Sequence, residues 1–240
     1  MTMLAIFKRE MRSYFTSPVG YMFCAIFFAV SGFLFMLNTV QAGENADYAG
    51  YFSIILFLFI VIIPLLTMKL VSEETKMKTD QLLMTAPITL GDIVFGKYLA
   101  ALTMFGGSFV ISSAIYYIPL AMYGTPNLAL YIGCVLGVFL VGSAFISIGI
   151  FISSLTENQF ISAFGTIGAI IFLLFVSSLN SYINNEAIRN FLSGLSITSR
   201  YSYFSYGLFS YDSLIYFISL SAVFLFLTIR VFEKRRWSKS

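Results

Sequence analysis

The chain has 240 residues, 59% of them hydrophobic and only 10% charged, where a soluble domain carries roughly 25% charged residues. With a mean hydropathy of +0.89, one soluble core cannot hide so many apolar side chains, so lipid must solvate many of them. Almost the whole length goes into spans and short loops, which excludes a separate globular module such as an ATPase, and the net charge of +3 gives no reason to expect a nucleic-acid partner.

The expected organisation is one transmembrane domain over residues 1–240. It opens with an amphipathic helix over residues 2–17, placed within a surface segment 1–17. Leu4, Phe7, Met11, Tyr14 and Phe15 recur at three- and four-residue spacing, while Lys8, Arg9, Arg12 and Ser13 lie elsewhere on the wheel. Such a helix lies on a membrane surface with its basic face to water. It serves either as an anchor that fixes topology or as a platform for a partner. The apolar run that follows is too long for a cleavable signal peptide, and no small-residue cleavage site follows it.

A spanning helix needs about 20 largely apolar residues. Between Arg12 and Glu44 there are 31 uncharged residues, enough for span one, and between Asp47 and Lys69 there are 21, enough for span two. Segment 69–97 follows as the longest loop on the side of the N-terminus, with Glu73, Glu74, Lys76, Lys78, Asp80 and Asp92 concentrated in it. Residues 79–84 read as a short helix ended by Pro87, because the residue before a proline disfavours the helical region. Thr89 and Asp92 fit a capping box, so the next helix begins ahead of span three. The loop is either a solvated linker or a structured contact surface.

Between Lys97 and Glu157 lie 59 uncharged residues. Gly124, Thr125, Pro126 and Asn127 divide them into spans three and four. The pattern Gly133 to Gly137 suits close helix packing. Pro64 and Pro119 are expected to kink or end their helices. Between Glu157 and Glu186 the 28 uncharged residues give span five. Segment 181–210 is too polar to span but rich in Tyr201, Tyr203, Phe204, Tyr206 and Phe209. It is expected to form short outer helices or a re-entrant hairpin, acting as a passive aromatic belt or as a gate. Residues 211–229 give span six, and the tail through Glu233, Lys234, Arg235, Arg236 and Trp237 anchors it at the surface.

The fold class is therefore an all-α membrane protein with six transmembrane helices. Twelve of the 14 Lys and Arg residues fall on one side of this layout; only Arg189 and Arg200 fall on the other. The positive-inside rule then places both termini in the cytoplasm. Ionisable residues are essentially missing from the deep positions, which argues against a proton- or sodium-driven transporter. There is no histidine, and Cys24 and Cys134 both sit in apolar runs. No catalytic, cofactor or metal site is expected.

These residues resemble the permease subunits of ABC-2 type ABC transporters, in particular the short gliding-motility-type permeases. Three stretches carry the resemblance. The first is Phe7-Lys8-Arg9-Glu10-Met11-Arg12-Ser13, continuing to Pro18, Gly20 and Tyr21. The second is Pro64-Leu65-Leu66-Thr67-Met68 with Glu73-Glu74, Thr79-Asp80-Gln81-Leu82-Leu83, Ala86-Pro87 and Gly96-Lys97. The third runs from Leu214 to Glu233-Lys234-Arg235-Arg236-Trp237. One departure is Lys78, which stands where the family usually has glycine before the threonine.

The resemblance implies an exporter in a bacterial cytoplasmic (inner) membrane. Two permease subunits, identical or sibling, would pair with cytoplasmic nucleotide-binding ATPase subunits that carry the ATP and Mg. Glu73, Glu74, Thr79, Asp80, Gln81, Leu82 and Leu83 would contact the ATPase. Phe7, Lys8, Arg9, Glu10, Met11 and Arg12 would form the interfacial helix, and Arg200, Tyr201, Tyr203, Phe204 and Tyr206 an outer gate. The competing readings are a secondary transporter, a membrane-embedded enzyme and a non-transporting scaffold. The substrate is left open.

Overall fold

The computed structural model describes residues 3–40, 48–79, 88–123, 126–179 and 185–238. Every regular element among them is helical. In a bilayer no water is available to satisfy backbone polar groups, and a helix satisfies them within itself. Six helices are long and apolar enough to cross a membrane: α2 (Pro18–Phe35, continued by a π-helical turn Met36–Val40), α3 (Tyr48–Thr67), α5 (Leu90–Tyr123), α6 (Leu128–Leu155), α7 (Gln159–Leu179) and α10 (Tyr211–Ser238). The described residues hold four shorter helices as well: α1 (Met3–Thr16), α4 (Ser72–Lys76), α8 (Glu186–Leu195) and α9 (Ile197–Ser205).

Helix α6 is the hub. Every residue from Val141 to Ile150 is buried, and α3, α5, α7, α9 and α10 all pack on it. Its small residues allow the close approach. The hydroxyls of Ser143, Ser147 and Ser154 donate back to carbonyls three residues earlier, so they bring no unsatisfied polar group into the core. By contrast α7 and α10 leave large apolar side chains outward, among them Phe160, Phe164, Phe172, Ile215, Ile218 and Phe226. This is the surface a bilayer would solvate. Pro64 and Pro119 both lie within helices, near the ends of α3 and α5.

Helix α1 is amphipathic but turned differently from the expected wheel. Its buried stripe is Ile6, Glu10 and Tyr14, whereas Leu4 and Phe15 are exposed. The helix faces α5 rather than lipid alone, and a charged partner on α5 draws Glu10 inward. The Tyr14 hydroxyl donates to the Leu66 carbonyl at 3.2 Å, tying α1 to the end of α3 as well.

At the opposite end of the bundle, α8 and α9 form the expected short helices, and α9 enters the bundle. Phe204 and Tyr201 of α9 are buried. A Cβ on Gly137 would lie 2.7 Å from Phe204 Cβ and 3.1 Å from the Tyr201 ring. Gly137 is nine residues into α6, so at 1.5 Å per residue α9 reaches inward by about 13 Å. The glycine pair of α6 thus receives α9 and not another span, since a Cβ on Gly133 would lie 3.1 Å from the Phe204 carbonyl. The buried end of α9 is fixed by Thr198, which donates to Leu174 O of α7 at 3.0 Å, and the end of α8 just before it by Tyr216 of α10, which donates to Leu195 O at 2.8 Å.

Gly137→Leu should therefore expel α9 and destabilise the protein by about 1–3 kcal/mol, the usual cost of overpacking. Thermal unfolding in detergent tests this, with Gly168→Leu as the control, because nothing lies within 4 Å of a Cβ at Gly168. Equal melting of the two variants would contradict the α9 packing.

Candidate coupling site

Both chain ends approach the same end of the bundle, where the turn after α3 leads into α4. A five-residue helix has almost no intrinsic stability, so α4 depends on what grips it. Two sets of side chains do so.

The first set is ionic. Lys97 lies two turns into α5 and is fully buried. An ammonium carries three donors and no acceptor; this one is surrounded by three oxygens, two as hydrogen-bond acceptors and the third, Glu74 Oε2, as an ion-pair partner without a hydrogen bond. It donates to Glu10 Oε1 at 3.1 Å and to Leu70 O at 2.6 Å, and it pairs with Glu74 Oε2 at 2.8 Å. The Arg9 guanidinium bridges both carboxylates, 2.5 Å from Glu10 and in contact with Glu74. Two cations and two anions leave the cluster neutral.

Burial by itself would raise the Glu10 pKa, but the charges and hydrogen bonds of Lys97 and Arg9 outweigh it and hold the carboxyl below its ordinary value. For Arg9, partial burial works against the charge, and Glu10 and Glu74 again outweigh it, so its pKa is raised. Both shifts favour the ionised forms of Glu10 and Arg9.

Local sequence explains why the helices meet here. Thr89 caps α5 as expected: its hydroxyl accepts from the Asp92 N–H at 3.1 Å and donates to the Asp92 carboxylate at 2.7 Å. Gly96, next to Lys97, is where α1 crosses. A Cβ there would lie 3.0 Å from Ile6 Cβ and 3.2 Å from Met3 O. Without a side chain at this position α1 can lie close enough for Glu10 to reach Lys97.

The second set grips another face of α4. Ser153 Oγ accepts from the N–H groups of Val71 (3.3 Å) and Ser72 (3.1 Å) and donates to Met68 O (3.2 Å). Arg235, near the end of α10, donates to Thr75 Oγ1 at 2.7 Å and to Ser154 O at 2.5 Å.

Helix α4 ends in a Schellman motif. Lys78 N donates to Thr75 O at 3.2 Å and Thr79 N to Glu74 O at 3.0 Å. The motif needs a left-handed residue, and Lys78 supplies it at φ 57°. Lys78 thus occupies a glycine-type backbone position, in keeping with the glycine usual there in the family it resembles. Helix α9 closes with the same pair of bonds around Gly207, at φ 71°.

The sequence-based site residues divide accordingly. Glu74, Glu10 and Arg9 come together, with Glu74 turned inward. Glu73 stays half-exposed, 4.0 Å from Lys69, and Thr79 is exposed. Phe7 and Met11 pack against the core, and Lys8 and Arg12 are exposed. Asp80, Gln81, Leu82 and Leu83, with most of the helix expected over 79–84 and with Pro87, lie outside the described residues. In the outer segment, Tyr201 and Phe204 are buried and Tyr203 and Tyr206 exposed. Arg200 stands 5.7 Å from the Tyr216 ring centroid.

Sequence reasoning missed Lys97, Thr75, Ser153 and Arg235 as site residues. For Lys97 a signal existed. Its neighbours at three and four residues either way are Ile93, Val94, Ala100 and Ala101, all buried, which places Lys97 on the inward face of the helix. Arg235 carried no such signal, because a basic tail after a span reads as ordinary anchoring.

The family model for ABC-2 family transporter proteins matches residues 4–237. The chain belongs to that family, whose members are membrane components of ABC transporters, and it is a multi-pass membrane protein. A comparison with curated proteins gave no match.

Three substitutions test the site. Lys97→Met leaves two carboxylates facing one cation and should destabilise the protein by about 3–5 kcal/mol, as when one partner of a buried pair is removed. Adding Glu10→Gln restores neutrality and should recover part of that loss, read as coupling in a double-mutant cycle of unfolding in detergent. Lys78→Gly should instead stabilise by about 1 kcal/mol, by relieving the left-handed strain. A melting temperature unchanged or lowered would refute that expectation.

Proposed function

We propose that this member of the ABC-2 transporter family is the membrane-spanning subunit of an ATP-driven exporter, and that α4 with its flanking turns is where a separate ATPase subunit acts. The observation that carries this reading is the Arg9–Glu10–Glu74–Lys97 cluster. It locks α1, α4 and the start of α5 into one charged unit at the end of the bundle where both termini lie. A push on such a unit displaces a span directly, because packed helices shift as rigid bodies.

The distribution of Lys and Arg supports a cytoplasmic location for that end, in a bacterial inner membrane. The ATP and Mg belong to the partner ATPase. A second permease subunit, identical or sibling, completes the pathway. Glu73, Lys76, Met77, Lys78 and Thr79 present the accessible rim of α4, and Asp80, Gln81, Leu82 and Leu83 join that rim by resemblance. Glu74 acts from inside, relaying force to Lys97. At the opposite end α9, with Arg200, Tyr201, Tyr203, Phe204 and Tyr206 on or beside it, is the candidate outer gate. Its packing between α6, α7 and α10 supports that reading, since movement of those helices would move it.

Affinity purification of the chain in mild detergent, followed by mass spectrometry, should recover an ATPase subunit in equal amount. Glu73→Lys should weaken that association without changing the melting temperature of the chain, because Glu73 lies outside the buried cluster. Recovery of the chain with no ATPase, or ATP hydrolysis by the chain alone, would count against the reading.

A further inference from the structure

The ionic cluster ties α4 to only one side of the bundle. Thr75 is one residue beyond Glu74, and successive helical residues are rotated by about 100°. The two side chains therefore reach different neighbours: Glu74 meets α1 and α5, and Thr75 meets α10. We propose that Arg235 is a positioning residue that makes the sixth span a second output of α4, so that displacement of α4 is divided between α5, through Lys97, and α10, through Arg235. This rests on the coupling role proposed for α4 above.

The geometry supports a specific tether rather than surface anchoring. Arg235 uses two nitrogens of its planar fork on two different elements. One donates to Thr75 Oγ1 of α4 and the other to Ser154 O in the last turn of α6. The Ser154 carbonyl is one that the helix end leaves without an intrahelical donor, and the cation also suits the negative end of the α6 dipole. Thr75 is itself held, because its hydroxyl donates to Val71 O at 3.0 Å while accepting from Arg235. Thr75 is buried.

The neighbouring basic residues contrast with this. Arg230 pairs with Glu233 on its own helix, at 2.7 Å; Arg230 is exposed and Glu233 half-exposed. Lys234 and Arg236 are exposed. Arg235 alone among these four turns inward onto another element. Helix α10 also carries Tyr216, whose hydroxyl holds Leu195 O beside α9. One continuous helix therefore touches α4 at one end and the junction of α8 and α9 at the other, and the route through Arg235 reaches the candidate gate with no intervening loop.

The test uses amide hydrogen exchange in nanodiscs and the pair Thr75→Val and Thr75→Ser. Valine keeps the shape and removes the acceptor; serine keeps the acceptor. In the chain alone, Thr75→Val and Arg235→Ala should each speed exchange over 71–79 by about tenfold, the effect expected for loss of a charge-assisted hydrogen bond, and Thr75→Ser should not. In the complex with its ATPase, a nonhydrolysable ATP analogue with Mg should alter exchange in both 90–123 and 211–238. Thr75→Val should abolish the change in 211–238 alone, and Thr75→Ser should retain it.

An undiminished nucleotide response of 211–238 in Thr75→Val would overturn the proposal, and so would unchanged exchange over 71–79 in the chain alone. A wild-type complex with no nucleotide response in either helix would overturn the coupling role of α4 and leave the exchange of 71–79 to decide the tether by itself.

Discussion

An ammonium taken out of water loses several kcal/mol of hydration, which protein oxygens must replace. Lys97 imposes that requirement on everything around it. Its three oxygens come from three segments: Glu10 of α1, Glu74 of α4, and the Leu70 carbonyl in the turn between α3 and α4. None of these can move far without leaving a buried charge unpaired, so one side chain orders the whole end of the bundle. Arg9 then balances the second carboxylate. The glycine at position 96 belongs to the same constraint, since α1 must lie close to α5 for Glu10 to reach.

The other fixed frame is α6. Its small residues meet the short segments at both ends: Ser153 and Ser154 beside α4, Gly133 and Gly137 against α9. From Val141 to Ile150 it is buried on every side. A helix packed all round transmits displacement and does not absorb it, because close-packed interiors are stiff. The basal and outer short helices α4 and α9 both pack on α6, and α10 beside it is hydrogen-bonded to Thr75 and to Leu195 at the end of α8.

Helix α4 shows how far tertiary contacts can override local preference. It is too short to be stable alone, and its closing residue, Lys78, holds a left-handed conformation that costs a side chain about 1–2 kcal/mol. Two carboxylate contacts, an arginine tether and the Ser153 hydroxyl hold it anyway. An element stabilised only from outside follows whatever holds it, which suits the relay role proposed for α4.

Hydropathy alone determined the six helices, because lipid requires long uncharged runs and such runs are one-dimensional. The Thr89–Asp92 cap was legible for the same local reason, and the short outer helices were one of two arrangements the polar, aromatic segment allowed. Lys97 was half-legible: the apolar face around it was written at three- and four-residue spacing, but what it paired with was not. Only the tertiary structure decided that Glu74 turns inward, that α1 buries Glu10 and leaves Leu4 outside, and that Arg235 is a tether and not a tail charge. Ion pairs and hydrogen bonds do not depend on distance along the chain. Lys97 and Glu10 are 87 positions apart, and Arg235 and Thr75 are 160 apart. Such partners are chosen by helix packing, which brings two charges together only after the apolar faces have met.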